Sequence, residues 1–194
     1  MTVATDEIYE KYLQKAITEI NALGDEVAQA GAGTRVPVVG SGHPLADVFL
    51  LKHAPRASEL QEGVAFYGRA GNAILKSLQR LHVDPMAIYG TNCLKFADGD
   101  EDESRPFLLR ELHIVQPKLI VAMGEPTVTF LNSVAFPLAA EITPEQGELQ
   151  RFTPTIQALV TPDIDESLDE APAKTAFWNA FKTLGTWWAE LPPY

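Results

Sequence analysis

The chain of 194 residues holds one cysteine, Cys93. A single thiol forms no internal disulfide, which suits a reducing compartment, and the chain is expected to be cytoplasmic. Apolar runs are short. None approaches the roughly 20 residues needed to cross a bilayer, so no membrane segment is expected. The start, MTVATDEIYEK, has neither a basic head nor an apolar stretch, so no signal peptide is expected. Positive charge is scarce as well, with 15 Lys and Arg against 26 Asp and Glu, for a net charge of -11. That balance opposes nucleic-acid binding by the molecule as a whole, though a local basic face can still hold phosphates. No repeat and no long low-complexity segment is present.

What is present reads as one soluble globule, long enough to bury roughly 70% of its unfolded surface. Residues 6–29 place Tyr9, Leu13, Ala16, Ile20 and Leu23 on one helical stripe. This helix, within residues 1–30, is expected to pack on the outside of a core spanning 36–190. From Val36 onward strands and helices alternate. Strands are expected at 48–51, 87–94, 119–123 and 156–160, and helices at 71–81, 103–115, 125–132 and 175–190. Strands alternating with helices imply a parallel sheet covered on both faces, an α/β/α sandwich. Residues 136–155 fit no element clearly.

Charge is uneven along the chain. Residues 35–95 carry seven Lys and Arg against four Asp and Glu, a local charge of +3 that leaves -14 elsewhere. Two acidic runs follow strand ends: Asp98, Asp100, Glu101, Asp102 and Glu103, then Asp163, Asp165, Glu166, Asp169 and Glu170. Both are expected to crowd the mouth of a cleft at the carboxyl edge of the sheet. Neither has the spacing of a calcium loop, and no metal site is expected.

The most informative stretch is Asp47 to Asn72, DVFLLKHAPRASELQEGVAFYGRAGN. Its apolar run ends in Lys52-His53-Ala54-Pro55-Arg56, and Pro55 stops the strand because it has no N–H. Ligands of open α/β sheets sit beyond the carboxyl ends of strands, so 53–59 is a candidate site loop. Three glycines at 63, 68 and 71 surround Phe66 and Tyr67. On residue chemistry alone, Phe66 is either a ring for stacking a flat ligand or a core aromatic in a turn.

The order of these residues resembles the uracil-DNA glycosylase superfamily, and within it the iron–sulfur branch called family 4. That branch reads Gly-Glu-Ala-Pro-Gly, then an acid, then Gly-x-Pro-Phe-x-Gly. Here Ala54-Pro55, Glu59, Gly63, Phe66 and Gly68-Arg69-Ala70-Gly71 fall in register. Tyr89-x-Thr91-Asn92-x-x-Lys95 matches a second motif and Pro117-Lys118 through Gly124 a third, over roughly residues 36–185. The resemblance implies a three-layer α/β/α sandwich with a four-stranded parallel sheet. It also implies a pocket for a base flipped out of DNA, single-stranded or damaged. Phe66 would stack the base, Asn92 would read its edge, Glu59 would line the pocket, and the backbone at Ala54 and Pro55 would bond the base.

Several positions depart from the pattern. His53 stands where the family has its first-motif Glu, and Thr161-Pro162 stands where it has a His-Pro pair. His53 and Thr161 are therefore the candidate catalytic residues, and an atypical or weak activity is expected. Phe96 and Ser104 occupy two cluster-ligand positions, and no Cys pair precedes the core. An iron–sulfur cluster needs about four thiolates, so no cofactor is expected. Two other readings stay open: a base-binding or protein-binding module without catalysis, and a hydrolase of free nucleosides or nucleotides.

Overall fold

The computed structural model describes residues 2–192. Helix α1 (Thr2–Ala30) leads into the two-residue strand β1 (Ser41–Gly42) and then β2 (Val48–Lys52). Two helices follow, α2 (Ala57–Glu62) and α3 (Arg69–Arg80), before β3 (Ile88–Asn92). Next come α4 (Glu101–Val115), β4 (Leu119–Met123) and α5 (Glu125–Ser133). The chain ends with β5 (Leu149–Arg151), β6 (Gln157–Thr161), α6 (Ala171–Phe181) and α7 (Thr183–Ala189). Among the described residues, no helix is long and apolar enough to cross a membrane.

The six strands form one sheet in the order β1-β3-β2-β4-β6-β5. The middle four, β3-β2-β4-β6, are parallel, and these are the four expected from the apolar runs. The two edge strands are antiparallel additions. They escape a sequence reading for a physical reason. β1 is two residues long and β5 is mostly exposed, so neither carries a buried apolar run. β5 also resolves part of the unassigned segment 136–155.

Every residue of β2, β3 and β4 is buried, as helices on both faces require. Alternation sorts their side chains into two cores. One face carries Phe49, Leu51, Tyr89, Ile120, Ala122, Ala158 and Val160, packed with Leu108 and Leu112 of α4 and Phe130 of α5. The other carries Val48, Leu50, Ile88, Val121, Met123 and Leu159, packed with Ile74 and Leu78 of α3, Phe177 and Phe181 of α6, and Leu184 of α7.

Three helical details differ from the sequence expectation. The segment expected as one helix over 175–190 is two, starting earlier, at Ala171, with a proline in the first turn where its missing N–H costs nothing. At their junction the Thr183 hydroxyl donates to the Gly147 carbonyl at 2.7 Å. α2 is six residues long, and Gly63 ends it at φ 72°, a left-handed turn that glycine adopts without strain. Finally, α1 lies against α4. Ala16, Leu23 and Val27 are buried, whereas Tyr9, at the start of the expected stripe, is half exposed.

Candidate functional site

Strand register puts four side chains in one row at the carboxyl edge. Asn92, Lys52, Met123 and Thr161 are consecutive partners across β3, β2, β4 and β6. All four are fully buried. In-register residues of parallel strands point to the same face, here the α3/α6 face. Neighbouring strands lie about 4.8 Å apart, so Lys52 and Thr161 are about 10 Å apart along the row.

Glu59, buried on α2, gathers this end of the sheet. Its Oε2 accepts from Lys52 Nζ at 2.6 Å and from the Arg56 backbone N–H at 2.8 Å. Its Oε1 accepts from the Phe66 backbone N–H at 2.7 Å and from Asn92 Nδ2 at 3.2 Å. One carboxylate therefore fixes the start of α2, the loop that carries Phe66 and the amide of Asn92. With Nδ2 committed, Asn92 Oδ1 is buried and has no partner. A buried polar atom in that state costs free energy until a donor arrives.

Phe66 sits at φ 62°, a conformation unusual for a residue with a side chain. Two glycines permit it. A Cβ on Gly90 would lie 2.7 Å from the Phe66 ring, and one on Gly71 would lie 1.9 Å from its carbonyl oxygen. The Lys52 ammonium lies 5.6 Å from the centre of the ring, in cation–π range.

Lys52 is the group that reading the sequence missed. Besides Glu59, Nζ donates to the Ala54 carbonyl at 3.1 Å and pairs with Asp165 Oδ2 at 3.2 Å. Asp165 Oδ2 also meets Arg56 Nε at 3.3 Å. The available signal was a lysine closing an otherwise apolar strand, VFLLK. A charge at that place must be paired, and it shares a face with Asn92 only because the register says so. Above this cluster opens a cleft of about 340 Å³, lined by Arg56, Ser58, Glu59, Tyr67 and Asp165 among others.

The remaining sequence candidates make no hydrogen bond to Glu59. His53, one residue past Lys52, turns to the opposite face. Its Nε2 is 3.3 Å from Glu101 Oε1 and its ring stands edge-on to Phe130 of α5. His53 and Thr161 are thus not brought together. The Thr161 hydroxyl donates to the Pro162 carbonyl at 2.9 Å. Ala54 packs on the α4/α5 core, its carbonyl taken by Lys52, and Pro55 is buried. Of the two acidic runs, the second lies at the cleft, where Asp165 meets Lys52 and Arg56, and Asp169 meets Arg69 at 2.8 Å. In the first, Glu101 pairs with His53, and Glu103 with Arg35 at 2.6 Å.

Comparison with known proteins matches this frame. A model of the uracil DNA glycosylase superfamily covers residues 39–182, which hold the whole row and the Glu59 cluster. The chain belongs to the uracil-DNA glycosylase superfamily. It is 29% identical over 120 residues to a type-4 uracil-DNA glycosylase of Sulfurisphaera tokodaii, covering 57% of this chain and 54% of that protein. It is 32% identical over 95 residues to one of Pyrobaculum aerophilum, covering 45% and 48%. One of Archaeoglobus fulgidus is 22% identical over 159 residues, covering 76% and 80%. The matched part spans about half the length of the first two relatives.

The iron–sulfur cluster that the family-4 pattern implies does not fit this chain. Phe96, at one ligand position, is buried under the Arg35 guanidinium, 4.0 Å from its ring centre. Ser104, at another, accepts from the Lys95 backbone N–H at 3.4 Å. Cys93 is fully buried, and that burial pushes its thiol well above the usual range. Among the described residues, no group of three or more His, Cys, Asp or Glu is arranged to hold a metal.

Proposed function

We propose that this protein recognises a nucleobase flipped out of DNA, damaged or deaminated, and hydrolyses its N-glycosidic bond slowly. The carrying observation is the buried, unpartnered Oδ1 of Asn92 in the same Glu59-centred cluster as Phe66. Uracil presents an N–H donor at N3, and Asn92 Oδ1 is an acceptor lacking one. Phe66 supplies the stacking ring and Glu59 fixes both groups. The relatives' name, type-4 uracil-DNA glycosylase, supports uracil as the base and DNA as the partner.

Two placements support a slow reaction. His53 faces α4 and α5, so in this reading it holds Glu101 rather than a water at the sugar. Thr161 keeps its hydroxyl on Pro162, so it is a weaker donor to a leaving base than a histidine. Loss of one transition-state donor costs about 10²–10³ in rate. The second reading, a base-binding module without hydrolysis, is favoured by one observation. His53 and Thr161 lie on opposite faces of the sheet end and do not meet.

Excision from single-stranded DNA carrying uracil, hypoxanthine or xanthine tests the proposal, read as alkali-labile abasic sites under single-turnover conditions. Slow release lost in Asn92→Ala and Phe66→Ala is the expected result. No release, with base binding retained and lost in the same variants, selects the binding module. Neither release nor binding overturns both readings.

A further inference from the structure

A single oxygen, Asp165 Oδ2, is shared by two cations. Lys52 Nζ lies 3.2 Å away and Arg56 Nε 3.3 Å away. Lys52 is fully buried and Asp165 is nearly so, at 11% exposure of its side chain, while Arg56 is half exposed. The local charges are two positive, Lys52 and Arg56, and two negative, Glu59 and Asp165. Glu59 is locked in place by four donors. Asp165 has two such partners, both through Oδ2, and sits on a one-turn 3₁₀ segment, Asp165–Ser167, at the cleft wall. If Asp165 swings toward solvent, the cluster is left with a net charge of +1, shared between buried Lys52, still paired with Glu59, and half-exposed Arg56, and it has room for one anionic oxygen. Lys52 is buried among acceptors, so an anion in that place meets a cation that water does not screen.

We propose that Lys52 and Arg56 form an anion seat, filled here by Asp165, that receives the negatively charged base as it leaves the sugar. The inference rests on the base-binding reading above. When the C1′–N1 bond breaks, both electrons stay on N1 and spread onto O2. The water oxygen bonds to C1′, and the proton the water sheds ends on the released base. The net change is nucleotide plus water to abasic sugar plus neutral base. In uracil, O2 lies between N1 and N3, so a base whose N3–H meets Asn92 Oδ1 presents O2 beside that contact. Asn92 and Lys52 are neighbours in the row and are bridged by Glu59. An ammonium at O2 stabilises charge that develops only as the bond breaks, the kind of interaction that accelerates a reaction.

Equilibrium dialysis of free bases at pH 7 tests this without requiring turnover. Uracil is neutral there and 5-nitrouracil is ionised, while thymine controls for bulk at C5. Wild type is expected to prefer 5-nitrouracil to uracil and thymine by about tenfold or more, as an opposite charge within a few ångströms implies. Asp165→Asn is expected to widen the preference by vacating the seat. Lys52→Met is expected to abolish it, and exposed Arg56→Met, which leaves the core intact, to reduce it. Asn92→Ala should weaken all three bases alike. Equal binding of uracil and 5-nitrouracil by wild type overturns the seat while leaving base recognition standing. So does a preference that Lys52→Met and Arg56→Met both leave unchanged. Binding of no base overturns the reading beneath it as well.

Discussion

Glu59 and Lys52 hold each other with both side chains buried. Removing one member of a buried ion pair leaves the other uncompensated and costs about 3–5 kcal/mol, whereas replacing both with apolar groups costs far less. Glu59→Leu is therefore expected to destabilise by about that amount, with Asp165 offsetting part of it. Lys52→Met combined with Glu59→Leu should recover some of the loss, though not the part owed to the Arg56 and Phe66 backbone donors. Urea unfolding of the three variants reads this directly, and a double variant less stable than Glu59→Leu would refute it. Gly90 gives a second test. A methyl group there meets the Phe66 ring at 2.7 Å, and overpacking of this kind costs about 1–3 kcal/mol. Gly90→Ala should lose base binding by more than its loss of stability explains, because it displaces the ring itself. At this scale Phe66, Asn92 and Glu59 were legible in the sequence because the motif keeps their spacing. Lys52 was not, and Asp165 was expected only as one member of an acidic run at the cleft mouth. Their meeting depends on which face a strand end presents and on a loop after β6, neither of which a linear pattern encodes.

The elements differ in how visibly they were written. The four parallel strands were found within a few residues, β2 and β4 by their apolar runs and β3 and β6 by shorter apolar stretches between turn signals. The edges were not, because two or three residues bonded on one side need no apolar signature. Helix α1 was legible by its stripe, but its partner was not. It lies on α4, where Arg35, just beyond its end, reaches Glu103 and covers Phe96. The hydrogen bond from Arg35 holds the Glu103 carboxyl below its usual value of about 4.5. A lowered folded-state value means that the unfolded chain binds the proton more readily. The pair's contribution is therefore present above the unfolded value and is lost as pH falls through the folded one. Urea midpoints at pH 7 and pH 3 should fall less in Glu103→Gln than in wild type, and an equal fall would remove Glu103 from the acid response. Within α1, Gly24 is a helix-interior glycine whose added Cβ meets only Val39 Cγ1, at an ordinary 3.8 Å. Gly24→Ala is expected to stabilise by about 0.5–1 kcal/mol, read from the same midpoints.

Across the whole molecule, charge sets how a DNA strand, the partner in the proposed function, would approach. The net charge of -11 repels a polyanion, and the basic residues near the cleft are engaged by carboxylates of the chain itself. Asp169 occupies Arg69, whose guanidinium holds the Asp169 carboxyl below its usual range. Both groups are about 70% exposed, so the pair adds little to stability and Asp169→Asn should fold normally. What the substitution does is free one cation at the cleft. Each phosphate neutralised on a single strand adds about 0.7 to the slope of log affinity against log salt. Wild type is expected to bind single-stranded DNA weakly, with affinity falling steeply as salt rises. Asp169→Asn should bind more tightly at low salt, with a slope steeper by about 0.7, the signature of one added phosphate contact. Fluorescence anisotropy with a labelled oligonucleotide across a salt series measures both. Arg69→Met should cancel the gain when combined with Asp169→Asn, since no cation is then left to free. Tight wild-type binding at physiological salt, unchanged by Asp169→Asn, would mean that the acidic run does not guard the cleft and that DNA approaches by another face.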